Sequence, residues 1–434
     1  MKFHTVQLAA VSAALAACFT TSAANWPGWR GADGLGTCIE KDLPTRWSRT
    51  ENVRWKIALP DRGNSTPAVW GDKVFVTQAI EAEHQRSLMC LTRADGKMLW
   101  QKSVTYAAKE ETHNDNPYCA ASPTTDGQRV IVCHGSAGVF CYDFDGKELW
   151  KRELGKQDFE WGNGSSPVLY GDVCILYFGP GKGARLLGLD KKSGKTVWEY
   201  MEPTIEVGQR TDGFKGKEPG IICTYSTPIL VSAGGRDELV MSFPRYLRAF
   251  DPRNGKELWH CDGLNPLIYT SPIHADGVVV AMGGFFGNSI ACKTGGKGDV
   301  TESHRLWQLV RAKGGIGSGV IRDGHIYVHT SGGVVECMDL KTGKTVWSER
   351  LKTSGPKGES WSSMVLAGER IYLLNQSGDC AVLKASSTFE QLGANSLGNE
   401  MCNASIAPSD GDIFIRTYKH LWCIGEAKKT AALR

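Results

Sequence analysis

Apolar and polar residues alternate with a period of two through short runs of this chain, and turn residues separate the runs at regular intervals. One unit is complete between Ser318 and Trp347. Ser318 to Ile321 is short and apolar, Asp323-Gly324 is a turn dipeptide, and His325 to His329 alternates in a β-branched and aromatic run. Ser331-Gly332-Gly333 turns the chain again, Val334 to Asp339 alternates, and Thr342-Gly343-Lys344 leads into an outer strand ending at Trp347. This pattern predicts a four-stranded antiparallel meander. Equivalent units begin near Ser65, Ser122, Ser166, Thr227, Ser271, Ser318 and Ser362, and an eighth begins at Ser405.

The outer strands carry a second periodicity. DGKMLW ends at Trp100, DGKELW at Trp150, SGKTVW at Trp198, NGKELW at Trp259, the degenerate SHRLW at Trp307, and TGKTVW at Trp347. Counted from Trp55, successive intervals are 45, 50, 48, 61, 48 and 40 residues. A repeat of about 40 to 50 residues describes a unit that cannot bury its apolar face alone and stacks on copies of itself. The eighth unit stops after IFIRTYKHLWCIG without a Trp-bearing outer strand, while Asn52 to Ile57 is a strand without a unit. The sequence therefore predicts an all-β fold: a single eight-bladed β-propeller of four-stranded antiparallel blades, its ring closed by an N-terminal strand in the last blade, which removes exposed sheet edges. Trp55, Trp100, Trp150, Trp198, Trp259, Trp307 and Trp347 are read as structural, each indole packing between blades with its N–H on a backbone acceptor.

The predicted organisation is an export signal over 1–24, an N-terminal extension over 25–51, the propeller over 52–425 and a tail over 426–434. The first segment has a basic start at Lys2, an Ala/Val/Leu run and a small-residue site at Ser22-Ala23-Ala24, too short to span a bilayer. Leu15-Ala16-Ala17-Cys18 also fits a bacterial lipoprotein signal, so cleavage near Ala24 and lipid attachment at Cys18 both stay open. Either one places the chain outside the cytoplasm, in the periplasm or cell envelope, and a monomer is expected.

A net charge of +4 over 434 residues, with no Lys/Arg cluster interleaved with aromatics, argues against nucleic acid. The chain has 14 cysteines. Cys90, Cys141, Cys337 and Cys423 occupy one equivalent place in the third strand, where other repeats have Gly188, Ala249 or Ala291, and are read as small packed hydrophobes. Cys133 and Cys141, facing each other across a hairpin, are the best candidates for a disulfide. Gly179-Pro180-Gly181-Lys182-Gly183-Ala184 resembles a dinucleotide fingerprint, but a strand rather than a helix follows it, so it is read as a hairpin turn. No zinc spacing, haem-attachment motif or serine elbow is present, and no metal site is predicted.

The run Asp-x-x-(Thr/Ser/Asn)-Gly-Lys-x-x-Trp, at Asp190 to Trp198, Asp251 to Trp259 and Asp339 to Trp347, resembles the tryptophan-docking motif of the pyrroloquinoline quinone (PQQ) repeat superfamily. The opening NWPGWRGADGLG and the ending NASIAPSDGDIFIRTYKHLWCIG are similar to PQQ-binding-like β-propeller proteins of planctomycete and verrucomicrobial type. The resemblance covers Trp26 to Gly425 and implies one of two functions. Quinoprotein dehydrogenases of the superfamily bind PQQ and calcium; other members, such as the lipoprotein of the outer-membrane-protein assembly machine, are non-catalytic. The adjacent Cys-Cys pair of the dehydrogenases is missing here, and the short loops carry no dense acidic cluster for calcium.

Loops entering each inner strand line one mouth of a propeller's channel. The repeats place Asn64, Tyr118, Trp161, Asn163, Tyr225, Tyr269, Trp361 and Asn403 there, with His113, Asp115, Glu160, Glu400 and Arg416 nearby and Phe285 and Phe286 in a hairpin. Rings that stack beside amides suit a sugar, a peptide or a planar cofactor, and the same residues also suit a structural plug of a narrow funnel. The expected function is a non-catalytic exported scaffold binding a protein or glycan at this mouth. The alternative is a PQQ- and Ca-dependent alcohol or sugar dehydrogenase with Asp115, Glu160 or Glu400 as carboxylates, Asn163 or Asn403 as carbonyl ligands, Arg416 on a quinone oxygen, and Trp161 or Trp361 stacking on the ring.

Overall fold

Alternation of this kind buries one face of every strand, and the computed structural model stacks those faces radially. It describes residues 24–205, 221–284, 287–311 and 314–426. All but the last residue of the predicted export signal, most of the insertion between the third and fourth units, and Phe285 and Phe286 lie outside these residues. Eight blades, each of four antiparallel strands, surround one axis, and the fourth and seventh each gain a short parallel fifth strand. The first is Ala68–Trp70, Lys73–Ile80, Gln85–Thr92 and Met98–Thr105, in order from the axis outward. Gly179 to Ala184 is indeed a turn, joining Val173–Phe178 to Arg185–Asp190. Among the described residues no helix is long and apolar enough to cross a membrane.

Two devices close the ring. Val53–Ala58 supplies the outer strand of the eighth blade, pairing antiparallel with His420–Ile424 so that Trp55 faces Cys423. Around the axis, a hydroxyl residue at the start of each inner strand accepts the backbone N–H of its counterpart in the preceding blade. The chain of bonds runs Thr66, Ser122, Ser166, Thr227, Ser271, Ser318, Ser363, Ser405 and back to Thr66, at 2.7 to 3.1 Å. In the first and seventh blades the girdle residue is Thr66 or Ser363, one position beyond the serine expected from the sequence.

Each docking tryptophan is the third residue of its outer strand rather than the last, because the strand runs on to the next entry loop. Its neighbour across the ladder is a small residue: Cys90 for Trp100, Cys141 for Trp150, Gly188 for Trp198, Cys337 for Trp347. The indole N–H of Trp55, Trp100, Trp150, Trp198, Trp307 and Trp347 donates to a carbonyl of the next blade at 2.8 to 3.2 Å. Trp259 departs from the rule: it donates at 2.9 Å to Glu238 Oε2, a buried carboxylate of its own blade held by Arg236.

The turn glycine of the next blade lies under the indole. A Cβ on Gly255, whose φ is +69°, would stand 2.4 Å from Trp198. Gly255→Ala thus combines left-handed strain with overlap and is expected to cost about 2 to 4 kcal/mol in urea denaturation. Gly171→Ala, at φ +54° with open space around it, is expected to cost about 1 kcal/mol.

All described cysteines are free. The proposed Cys133–Cys141 pair does not face: Cys133 lies opposite Val139 and Cys141 opposite Ile131, because a two-residue register offset separates them.

The N-terminal extension seals one end of the channel. Trp26 exchanges backbone hydrogen bonds with Val69 in the first blade, and Pro27 O accepts from Thr125 N in the second. Arg30, fully buried, then donates to Ser318 O and Gly319 O in the sixth, and Thr37–Cys38 lies parallel on Val365–Ala367 in the seventh. Passing from the second blade to the sixth takes the chain across the axis.

Candidate functional site

With one end closed, the channel is a blind cavity of about 250 Å³ opening at the other mouth. Trp29 of the extension lines it, together with Asn64, His113, Asn116, Trp161, Tyr225, Tyr269, Ser318, Trp361, Ser363 and Asn403. Tyr225, Tyr269 and Trp161 form a row, with neighbouring ring centroids 5.9 and 6.4 Å apart and planes within 17°. His113 lies 5.5 Å from Trp361 at 31° and meets Trp161 nearly edge-on at 73°. The rings therefore make two walls at a steep angle.

Trp161 has a left-handed backbone, φ +59°, which a bulky residue adopts at a cost of about 1 to 3 kcal/mol. Asn116 holds it there by donating from Nδ2 to Trp161 O at 2.9 Å. The loop that carries His113 and Asn116 is itself anchored at Glu110, which pairs with buried Arg86 at 3.8 Å and accepts from Ser136 N at 2.8 Å. His113 Nδ1 accepts from Asp115 N at 3.1 Å, which places its proton on Nε2.

Other residues predicted for the mouth sit elsewhere. Tyr118 lies under Arg86, 3.6 Å from its guanidinium carbon, and its hydroxyl donates to Glu110 O, because left-handed Cys119 turns the chain away from the axis. Asn163 is past the bend at Gly162 and donates toward Cys133 Sγ at 3.7 Å. Glu400 receives Thr417 Oγ1 at 2.7 Å and contacts His420 Nδ1 at 2.9 Å. Glu160 adjoins the cavity without lining it; its carbonyl accepts the Tyr225 hydroxyl.

Arg416 does not line the cavity. It is one strand out from the axis, fully buried, and donates to Ser65 Oγ, Thr77 O and Gln78 Oε1 of the first blade. Sequence alignment missed Trp29, which belongs to no repeat, and Asn116, which no repeat counterpart marks.

Burial pushes the thiols of Cys119 and Cys133 up to about 12, far from the thiolate a nucleophile needs. Burial also raises the Tyr225 phenol, with Cys223, Tyr269 and Glu160 adding to the effect. Among the described residues no three His, Cys, Asp or Glu side chains converge on a metal position, and no charged side chain lines the cavity. PQQ is a planar quinone with three carboxylates and needs cations around it. The rings could stack on it, but this uncharged lining does not fit it.

Two histidines beside this region make the fold acid-sensitive. Burial lowers His134 to about 3, with Arg86 adding to it, and lowers His329 to about 4. His329 donates from Nε2 to Ser360 O while Nδ1 is buried without a partner. Both side chains bind a proton near pH 6.5 when unfolded and only near 3 to 4 when folded. The unfolded state holds more protons in that window, so stability is full above pH 6.5 and falls as pH drops toward 4. The expected loss is on the order of 3 kcal/mol per histidine, read from urea midpoints across the window, and His329→Gln should flatten the slope.

The relatives agree with this architecture. The model of the outer membrane protein assembly factor BamB family matches residues 45–212 and 243–432. BamB of Yersinia pestis is 23% identical over 289 residues, 65% of this chain and 65% of that protein, so the match spans slightly less than two thirds of the relative's length. BamB of Moranella endobia is 21% identical over 296 residues, covering 67% of this chain and 71% of its own. Among solved structures, BamB from Moraxella catarrhalis superposes with a TM-score of 0.59 at 13% identity, over 86% of this chain and 97% of that one. Quinohemoprotein alcohol dehydrogenase from Comamonas testosteroni reaches 0.64 at 12% identity, over 93% and 81%. These structural likenesses carry the fold alone, whereas the family match covers most of the sequence: the chain belongs to the family of the outer membrane protein assembly factor BamB.

Proposed function

We propose that this protein is a non-catalytic binding module of the cell envelope that engages a protein or glycan partner through the open mouth of its channel. The observation that carries this reading is the blind, uncharged cavity walled by Trp161, Tyr225, Tyr269, His113 and Trp361, with Trp161 held in a strained backbone. Strain concentrated on an aromatic at a concave surface suits a preorganised anchor pocket. The envelope location draws on the predicted export signal and on relatives named for outer membrane protein assembly.

The test is quantitative cross-linking and pull-down from envelope extracts with the mature protein, Trp161→Ala and Trp361→Ala. Each substitution is expected to lower partner retention at least about tenfold while leaving the thermal midpoint within a few degrees. Equal retention by all three proteins would remove the mouth as the binding surface. A quinone absorbance that stays with the protein through gel filtration after loading with PQQ and calcium would instead favour the dehydrogenase reading.

A further inference from the structure

The amide N–H groups at the mouth are engaged by the protein itself, while Asn64 Oδ1 is buried without a partner. Asn64 Nδ2 donates to Asp115 O at 2.7 Å, Asn403 Nδ2 to the same oxygen at 2.9 Å and to Tyr418 Oη at 3.2 Å, and Asn116 Nδ2 to Trp161 O and Asn163 O. They tie down the loop carrying His113 and have no N–H left for a ligand. A sugar seated here would get no donor from these amides for its hydroxyls, and polar groups buried without partners are costly.

What the cavity does present is aromatic surface, whose ring faces are electronegative. The row Tyr225, Tyr269, Trp161 and the pair His113, Trp361 stand at 73° across the Trp161–His113 contact, with Trp29 also lining the cavity. No Lys or Arg among the described residues lines it. Asp115 lies between the lining residues His113 and Asn116, and Glu160 precedes Trp161. Neither carboxylate is in an ion pair among the described residues, and both act on phenols of the mouth, Asp115 on Tyr418 and Glu160 on Tyr225. Arg62, the nearby cation, is occupied by Glu81 at 3.4 Å and Asn114 O at 2.7 Å. Electronegative faces inside and carboxylates at the rim complement a positive charge.

We infer that the cavity receives a cationic side chain, the guanidinium of an arginine or the ammonium of a lysine, projecting from a partner protein. This rests on the mouth being the binding surface. The ring faces take the desolvated cation, its alkyl stem lies along the tyrosines, and Asp115 and Glu160 steer it in.

The experiment titrates the mature wild-type protein, its tryptophan indoles labelled with ¹⁵N, with N-acetylarginine methylamide, N-acetyllysine methylamide, the neutral isostere N-acetylcitrulline methylamide and methyl glucoside. The arginine or lysine probe should shift the Trp161 and Trp361 resonances with a dissociation constant of roughly millimolar order, and citrulline should bind at least about tenfold more weakly. The double substitution Asp115→Asn, Glu160→Gln should weaken the cationic probes about threefold or more at low salt and leave citrulline unchanged. Citrulline binding as well as arginine, or the glucoside binding more tightly than either, overturns the cationic ligand. If envelope-partner retention still depends on Trp161 in that event, the mouth remains the binding surface; if retention is also independent of Trp161, both readings fall.

Discussion

A chain lacking residues 24–58 is expected not to fold. The deletion strips Val53–Ala58 from His420–Ile424 and leaves the eighth blade with an open edge. It also removes Trp55, whose indole covers Gly96 and donates to Arg93 O at 2.8 Å, the only docking contact from the eighth blade to the first among the seven tryptophans. Trp26, Leu43, Trp47 and Trp55 belong to one apolar core with the first, seventh and eighth blades. Burying such side chains contributes about 1.5 to 3 kcal/mol each, so their joint loss matches the whole stability of an ordinary domain. Soluble yield and a cooperative thermal transition should both vanish. The closing strand itself can be moved: Gly425 N donates to Asn52 O at 2.9 Å, so residues 52–58 appended after Gly425 through a turn of about two to four residues should pair as a hairpin and restore part of the soluble yield. A well-folded deletion without that strand would refute closure by strand exchange.

Arg416→Ala is expected to lower stability by about 3 to 5 kcal/mol through lost buried hydrogen bonds and the cavity left behind, the largest loss from a single side chain. The guanidinium joins the eighth blade to the first beside the girdle, with Nη1 on Ser65 Oγ and Thr77 O and Nη2 on Gln78 Oε1 at 2.8 Å. A Cβ on Gly63 would overlap it, so the backbone there has closed around the planar group. Removing it leaves Gln78 Oε1 without its donor, takes one bond each from Ser65 Oγ and Thr77 O, which keep only their mutual hydrogen bond at 3.2 Å, and opens a cavity. Arg416→Lys should recover little, because one ammonium cannot reproduce the fork. Urea denaturation measures the loss. Since Arg416 does not line the cavity, the folded variant should bind the mouth ligand as the wild type does, and a binding defect without a stability defect would return it to the site.

Much of the fold was legible because each repeat states its own geometry. The Trp55 orphan strand and the truncated unit after Ser405 together specified both blade number and closure, and the Cys90, Cys141, Cys337 and Cys423 positions lie across the ladder from docking tryptophans. The site was only half legible. Trp161, Trp361, Tyr225, Tyr269, His113, Asn64 and Asn403 could be placed at the mouth because each stands at or near an entry loop, and a propeller's entry loops converge on its axis. Side-chain direction could not be placed this way. The left-handed residues Cys119 and Trp161 send Tyr118 out of the cavity and Trp161 into it, a choice no alternation encodes.

By itself the sequence determined the repeat, the all-β class, the blade count and the closing strand, since these follow from local alternation and from a period counted along the chain. Only the tertiary structure decided that the extension crosses the axis and lines the cavity with Trp29, that the mouth amides are engaged by Asp115 O, Trp161 O and their neighbours, and that Arg416 is a buried strut. Each of these depends on groups from different blades meeting at the axis, where distance in space bears no relation to distance in sequence.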